Sequence, residues 1–143
     1  MILHPTSTKN ARVTNLGQGA WNLEIPPASE GKYQLAQLDD YSKLKRHSFP
    51  WKPPLKFSLR ARASATDLPG TWGFGFWNDP FSLSLGLGGG TRKLPTLPNA
   101  AWFFHASPEN YLSLRDDLPA QGLLAATFRS PLWPPILLAP GVP

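Results

Sequence analysis

LKFSLRARASATDLPGTWGFGFWNDPF, residues 55–81, is the stretch whose reading decides the fold. In its first half Leu55, Phe57, Leu59, Ala61, Ala63 and Ala65 alternate with Lys56, Ser58, Arg60, Arg62 and Ser64. A period of two is the signature of a strand buried on one face. Asp67-Leu-Pro-Gly70 carries a turn signal, and Thr71 to Trp77 reads as a returning strand. Together they predict a β-hairpin in the middle of a sheet, with Leu55, Phe57 and Leu59 turned into the core.

The rest of the chain fits the same class. It has 143 residues, enough for one domain with a single core. Twelve glycines and 17 prolines punctuate it, while six tryptophans and eight phenylalanines supply apolar area that a disordered chain lacks. Ala11 to Leu16 reads as a short strand ended by Gly17-Gln-Gly19. Trp21 to Ile25 reads as a strand with Trp21, Leu23 and Ile25 inward, stopped by Pro26-Pro27. Tyr33 to Tyr41 suits helix or strand, and its neighbours favour a strand in the first half. Lys43 to Pro54 is a basic, proline-broken loop. Phe81 to Leu85, Ala101 to His105, Tyr111 to Arg115 and Leu123 to Arg129 complete a set of eight or nine short strands, with turn signals between them. This pattern predicts an all-β fold, an antiparallel β-sandwich over residues 1–130. Residues 131–143 are apolar and rich in proline. They predict either a tail that docks on a protein partner or the start of a continuation, with the sandwich incomplete at its C-terminal end.

Charge is uneven. Net charge is +5, and no acid lies between Asp40 and Asp67, where Lys43, Lys45, Arg46, Lys52, Lys56, Arg60 and Arg62 make up half of the 14 basic residues. The expected role is a solvated strand face plus a basic loop. Nucleic acid is not the expected partner, because Trp51 alone stands near those charges to stack a base and no RNA-binding motif is present.

Several chemistries fail on residue type or spacing. There is no cysteine, and His4, His47 and His105 are scattered, so neither a metal nor another cofactor is expected. Gly86-Leu-Gly-Gly-Gly-Thr-Arg-Lys93 lacks the spacing of a phosphate loop and is followed by Leu-Pro instead of a helix. No serine nucleophile motif occurs. Asp39-Asp40 and Asp116-Asp117 place neighbours on opposite faces of a strand, a poor geometry for sharing one substrate. Residues 1–9 lack the apolar core of a signal peptide and no run reaches transmembrane length, so the expected location is cytoplasmic and no membrane partner is expected.

The returning strand is the candidate site. Trp72, Phe74 and Phe76 fall on one face, while Gly73, Gly75, Trp77 and Asp79 fall on the other. Two glycines beside an aromatic leave a flat strip where a ligand can approach the backbone. Trp77 would be its stacking platform, with Asn78, Asp79 and His105 as polar hooks. The plainer alternative is that another strand or the glycine-rich loop covers the glycines.

FSLRARASA, a two-residue gap, and LPGTWGFGFW resemble the hairpin of concanavalin A-like lectin and glucanase jelly rolls, especially family-16-type β-glucanases. There a strand of the type Y-E-A-R-I-K runs through a Pro/Gly turn into G-x-W-P-A-F-W. The resemblance covers Leu55 to about Asn78 and implies two stacked antiparallel sheets with a concave sugar-binding face. Those glucanases carry E-x-D-x-x-E on the following central strand, whereas Asn99 to Ser107 (NAAWFFHAS) holds no carboxylate. Their retaining chemistry needs two carboxyl groups, so no catalytic residue carries over. The resemblance therefore implies a non-catalytic module binding a carbohydrate or another flat ligand. The alternatives are an enzyme of another reaction that uses His105 on the same face, and a structural or interaction module with no small ligand.

Overall fold

A computed structural model describes residues 2–27, 33–80, 96–110 and 122–129. The expected strands at Phe81–Leu85 and Tyr111–Arg115, the loop at Gly86–Lys93, the Asp116-Asp117 pair and residues 131–143 lie outside them. The chain is all-β, as the sequence predicts: seven strands, every pairing antiparallel, and a single 3₁₀ turn at Arg46–Ser48 as the only helical element among the described residues. The strands are β1 (His4–Ser7), β2 (Arg12–Gly17), β3 (Ala20–Glu24), β4 (Ala36–Asp39), β5 (Thr71–Trp77), β6 (Asn99–Ala106) and β7 (Gly122–Arg129). They divide between two compact units, one comprising residues 1–50 and 81–94, the other 51–80 and 95–143.

In the first unit β1 pairs with β4, and β2 pairs with β3. The β2–β3 turn needs three successive positive φ angles, at Gly17 (83°), Gln18 (52°) and Gly19 (77°), which glycine supplies at little cost on either side of Gln18. Asn15 tightens it by accepting a bond from the Gly17 N–H through Oδ1 at 2.8 Å. Asp39 is buried, and its carboxylate accepts from the Tyr41 and Ser42 N–H groups at 3.1 and 2.7 Å and from Gln37 Nε2 at 2.8 Å. That is the capping of a chain reversal, a structural task for a short acidic side chain.

Two expectations need correction here, and one strand falls where none was expected. Leu23 and Ile25 are exposed, at 48% and 51%, so the β3 alternation does not mark a buried face. The strand within Tyr33–Tyr41 occupies its second half, Ala36–Asp39, because that is where β1 offers a ladder partner. β1 itself, His4-Pro-Thr-Ser7, has no apolar alternation and a proline, and it escapes any reading by hydrophobic period.

The second unit holds a three-stranded sheet in the order β5-β6-β7. The central strand is β6 (NAAWFFHA), whose apolar and aromatic residues suit a position flanked on both sides. Here lies the largest correction to the expected hairpin. The returning strand forms as β5, but Leu55 to Ala65 belongs to no strand, and β5 pairs with β6. Leu55, Phe57 and Leu59 are 40%, 47% and 45% exposed. A period of two specifies which faces a strand would show; it does not supply a ladder partner. Phe57 keeps part of the expected role, with its ring 5.3 Å from Phe76 and 6.2 Å from Phe74.

Candidate functional site

The β5–β6–β7 register sorts every side chain to a face, because residues opposite one another in an antiparallel ladder point the same way. Trp72 faces His105, Phe74 faces Phe103 and Phe76 faces Ala101, and the β7 partners of those three β6 residues are Leu123, Ala125 and Thr127. These nine share one face. The other carries Gly73 opposite Phe104, Gly75 opposite Trp102 and Trp77 opposite Ala100, continued on β7 by Leu124 and Ala126.

The glycine face of β5 is bordered closely by β6. Gly73 and Gly75 are exposed, while Trp102, Phe104, Leu124 and Ala126 beside them are half-buried. The tryptophans form the row that borders the glycines. Trp77 and Trp102 stack with centroids 5.2 Å apart and planes inclined by 15°, and Phe104 meets Trp102 edge-on at 5.0 Å. Such offset and edge contacts match the quadrupoles of the rings. Both glycines are required by how closely β6 approaches. A β-carbon built on Gly73 would run into the carbonyl oxygen of Phe103 and stand 2.7 Å from Phe104 Cα. One on Gly75 would run into the carbonyl oxygen of Ala101 and stand 2.6 Å from Trp102 Cα. The result is a strip of exposed glycine backbone, the trough of β5, bordered by Trp77, Trp102 and Phe104.

The structure separates the six residues expected to act together. Gly73, Gly75 and Trp77 share the trough. His105 does not, because it stands opposite Trp72 and stacks on it at 5.8 Å, on the reverse face. Odd and even positions of neighbouring strands can be matched only once the register is known, which a single sequence does not give. His105 Nδ1 is buried without a hydrogen-bond partner among the described residues. Asn78 is committed as a strand-end latch. Its Nδ2 donates to the Leu97 carbonyl at 2.9 Å, its Oδ1 accepts from the Asn99 N–H at 2.9 Å, and its own N–H donates to the Asn99 carbonyl at 3.2 Å. Asp79, half-buried, follows it with a positive φ of 52°, in the turn that ends at the buried Pro80. The residues that sequence reasoning missed are Trp102 and Phe104. The signal was present, since a strand lined by two glycines needs aromatic cover from its neighbour.

At the other end of the trough Ser107, buried, ties β5 to β6. Its N–H donates to the Gly70 carbonyl at 2.9 Å, and its Oγ accepts from the Gly70 N–H at 3.0 Å and from Asn110 Nδ2 at 3.1 Å. The same hydroxyl bonds the Glu109 carboxylate, and with a bond from Glu109's own backbone it holds that carboxyl below its ordinary value. Ser107→Ala leaves the Gly70 N–H without its side-chain acceptor. It is expected to cost about 1–2 kcal/mol, read as a lower denaturation midpoint at unchanged slope. His105→Ala is expected to lower stability by about 1 kcal/mol through the lost Trp72 stack. It should leave ligand affinity unchanged, as calorimetry would show.

Among the described residues no three His, Asp or Glu side chains gather as a metal site would require, and no helix is long and apolar enough to cross a membrane. Comparison of the chain with family models, with curated proteins and with solved structures gives no match in any of the three.

Proposed function

We propose that this protein is a non-catalytic binding module of the concanavalin A-like, jelly-roll type, taking a carbohydrate or similarly flat ligand in the trough of β5. The observation that carries the reading is the stacked Trp77–Trp102 pair beside two exposed glycines. A sugar ring has an apolar face and a hydroxylated rim. Indole carbon suits the first, and accessible peptide groups of a glycine strip suit the second. The absence of carboxylates on β6 (Asn99–Ala106) supports binding without turnover. With His105 on the reverse face, the enzyme alternative loses the side chain it invoked.

The test is a glycan array followed by calorimetry on the best binder. Trp77→Ala is expected to weaken binding about 30-fold, since truncating an aromatic anchor costs about 2 kcal/mol or more. Trp77→Phe should retain most of it. Binding that ignores both substitutions would overturn the reading.

A further inference from the structure

We infer that the outer edge of β5 is a self-association surface: the backbone from Thr71 to Gly75 pairs antiparallel with the same stretch of a second copy, Gly73 lying opposite Gly73. The ladder with β6 decides which backbone groups face that edge. At one end the Asn78 N–H donates to the Asn99 carbonyl, and at the other the Ser107 N–H donates to the Gly70 carbonyl. Hydrogen-bonded and non-hydrogen-bonded pairs alternate along an antiparallel ladder. With Gly70 and Asn78 both turned to β6, the even-numbered residues between them turn the same way. Thr71, Gly73 and Gly75 therefore aim their N–H and C=O groups away from β6, and all three residues are exposed. Among the described residues no strand is laddered to that edge, and no hydrogen bond engages those groups.

The edge carries none of the devices that keep edge strands apart. β5 (TWGFGFW) has no charged residue and no proline, and its register with β6 runs without a bulge. A row of unpaired backbone groups on such a strand is a template for another strand. A second copy fits it because the free stretch is centred on Gly73. Reversed and laid beside itself, that stretch sets Thr71 opposite Gly75, Gly73 opposite Gly73 and Gly75 opposite Thr71, each pair donating and accepting in both directions. No like charges meet. On the reverse face Trp72 of one copy stands across from Phe74 of the other, a cross-strand aromatic pair repeated by the two-fold axis. Phe57 lies nearer Phe76 (5.3 Å) than Phe74 (6.2 Å), towards the end of β5 that the pairing leaves free.

The sheet of one copy, in the order β7-β6-β5, then continues into β5-β6-β7 of the other. This surface stands independently of the ligand reading. Where both hold, pairing takes up the Gly73 and Gly75 peptide groups that a sugar rim would use, so ligand and second copy compete for them.

The experiment is sedimentation of the full chain between about 5 and about 500 µM, with amide hydrogen exchange at both ends of that range. A short strand pairing buries well under the ~1,200 Å² of stable complexes, so a weak dimer is expected, with a dissociation constant on the order of 0.1 mM. The Gly73 and Gly75 amides should exchange at least about threefold more slowly at the high concentration, while that of Phe74, turned to β6, is slow at both. Thr71→Pro removes an outward N–H from each copy and should weaken the dimer at least about tenfold. Proline is accepted at the first residue of a strand, and that N–H makes no bond within the chain among the described residues. Thr71→Lys, which places a charge on the edge, is the second variant and should weaken the dimer as well. A chain that sediments as a monomer throughout, or a dimer indifferent to both substitutions, would overturn the inference. Slow exchange at Gly73 that is equal at the two concentrations would show the chain covering its own edge, and would overturn it too.

Discussion

Gly75→Ala is expected to destabilise the protein by about 2–3 kcal/mol and to break the β5–β6 pairing around it. The sign is what makes this informative. Glycine inside a strand is ordinarily inferior to alanine by about 0.5–1 kcal/mol, because it loses more backbone freedom on folding. At Gly75 the added carbon would collide with the carbonyl oxygen of Ala101 and lie 2.6 Å from Trp102 Cα. Those are backbone atoms of the central strand, so relief requires moving β6 and, with it, β7. Overpacking of that kind costs about 1–3 kcal/mol. Gly73→Ala should behave alike, against Phe103 and Phe104. Thr127→Ala, exposed on the neighbouring β7, should stay within about 0.5 kcal/mol. Denaturant unfolding gives the energies, and hydrogen exchange at β6 amides localises the damage. A stabilised Gly75→Ala would mean that β6 is not where the structure puts it.

Trp102→Ala carries the second large effect, and it acts on stability and on binding together. Trp102 is the middle of the aromatic row, stacked on Trp77 and meeting Phe104 edge-on, and its Cα and Cβ close over Gly75. Removing the indole deletes both ring contacts, each worth about 0.5–1.5 kcal/mol beyond area. It also strips the wall from the trough and removes the Trp102 stack from Trp77. A stability loss of about 2–3 kcal/mol and a fall in ligand affinity beyond about 30-fold are expected. Phe103→Ala is the matched control. It is one residue away, half exposed at 49%, and stacked on Phe74 on the reverse face. Its effect on affinity should be less than about twofold. Equal losses from the two neighbours would show that the sheet has one response to damage and no dedicated ligand face.

The fold class was legible because it rests on features a sequence carries locally. Short apolar runs, proline and glycine stops, and the exclusion of long helical patterns led to antiparallel strands at β2, β3, β5, β6 and β7. Pairing was less legible. The period of Leu55–Ala65 is the cleanest in the chain, and it lies outside the sheet, while the unpatterned His4–Ser7 lies inside one. A strand forms where a partner edge is available, and availability depends on residues far along the chain.

The site divided along the same line. Gly73, Gly75 and Trp77 were recognisable from their own strand, since alternation within one strand needs no partner. His105 was misplaced and Trp102 missed, since both depend on which β6 residue stands opposite which β5 residue. Asn78 read as a polar hook because a sequence shows that an amide is present and does not show that Leu97 and Asn99 already occupy it.

One measurement tests the central claim most directly: a titration of the isotope-labelled protein with its tightest array glycan, followed by NMR. The amide signals of Gly73 and Gly75 and the indole signals of Trp77 and Trp102 are expected to move together along one saturating curve, while those of Trp72 and His105 stay in place. Shifts confined to Trp72, Phe103 and His105, with the glycine signals still, would put the ligand on the reverse face and contradict the account.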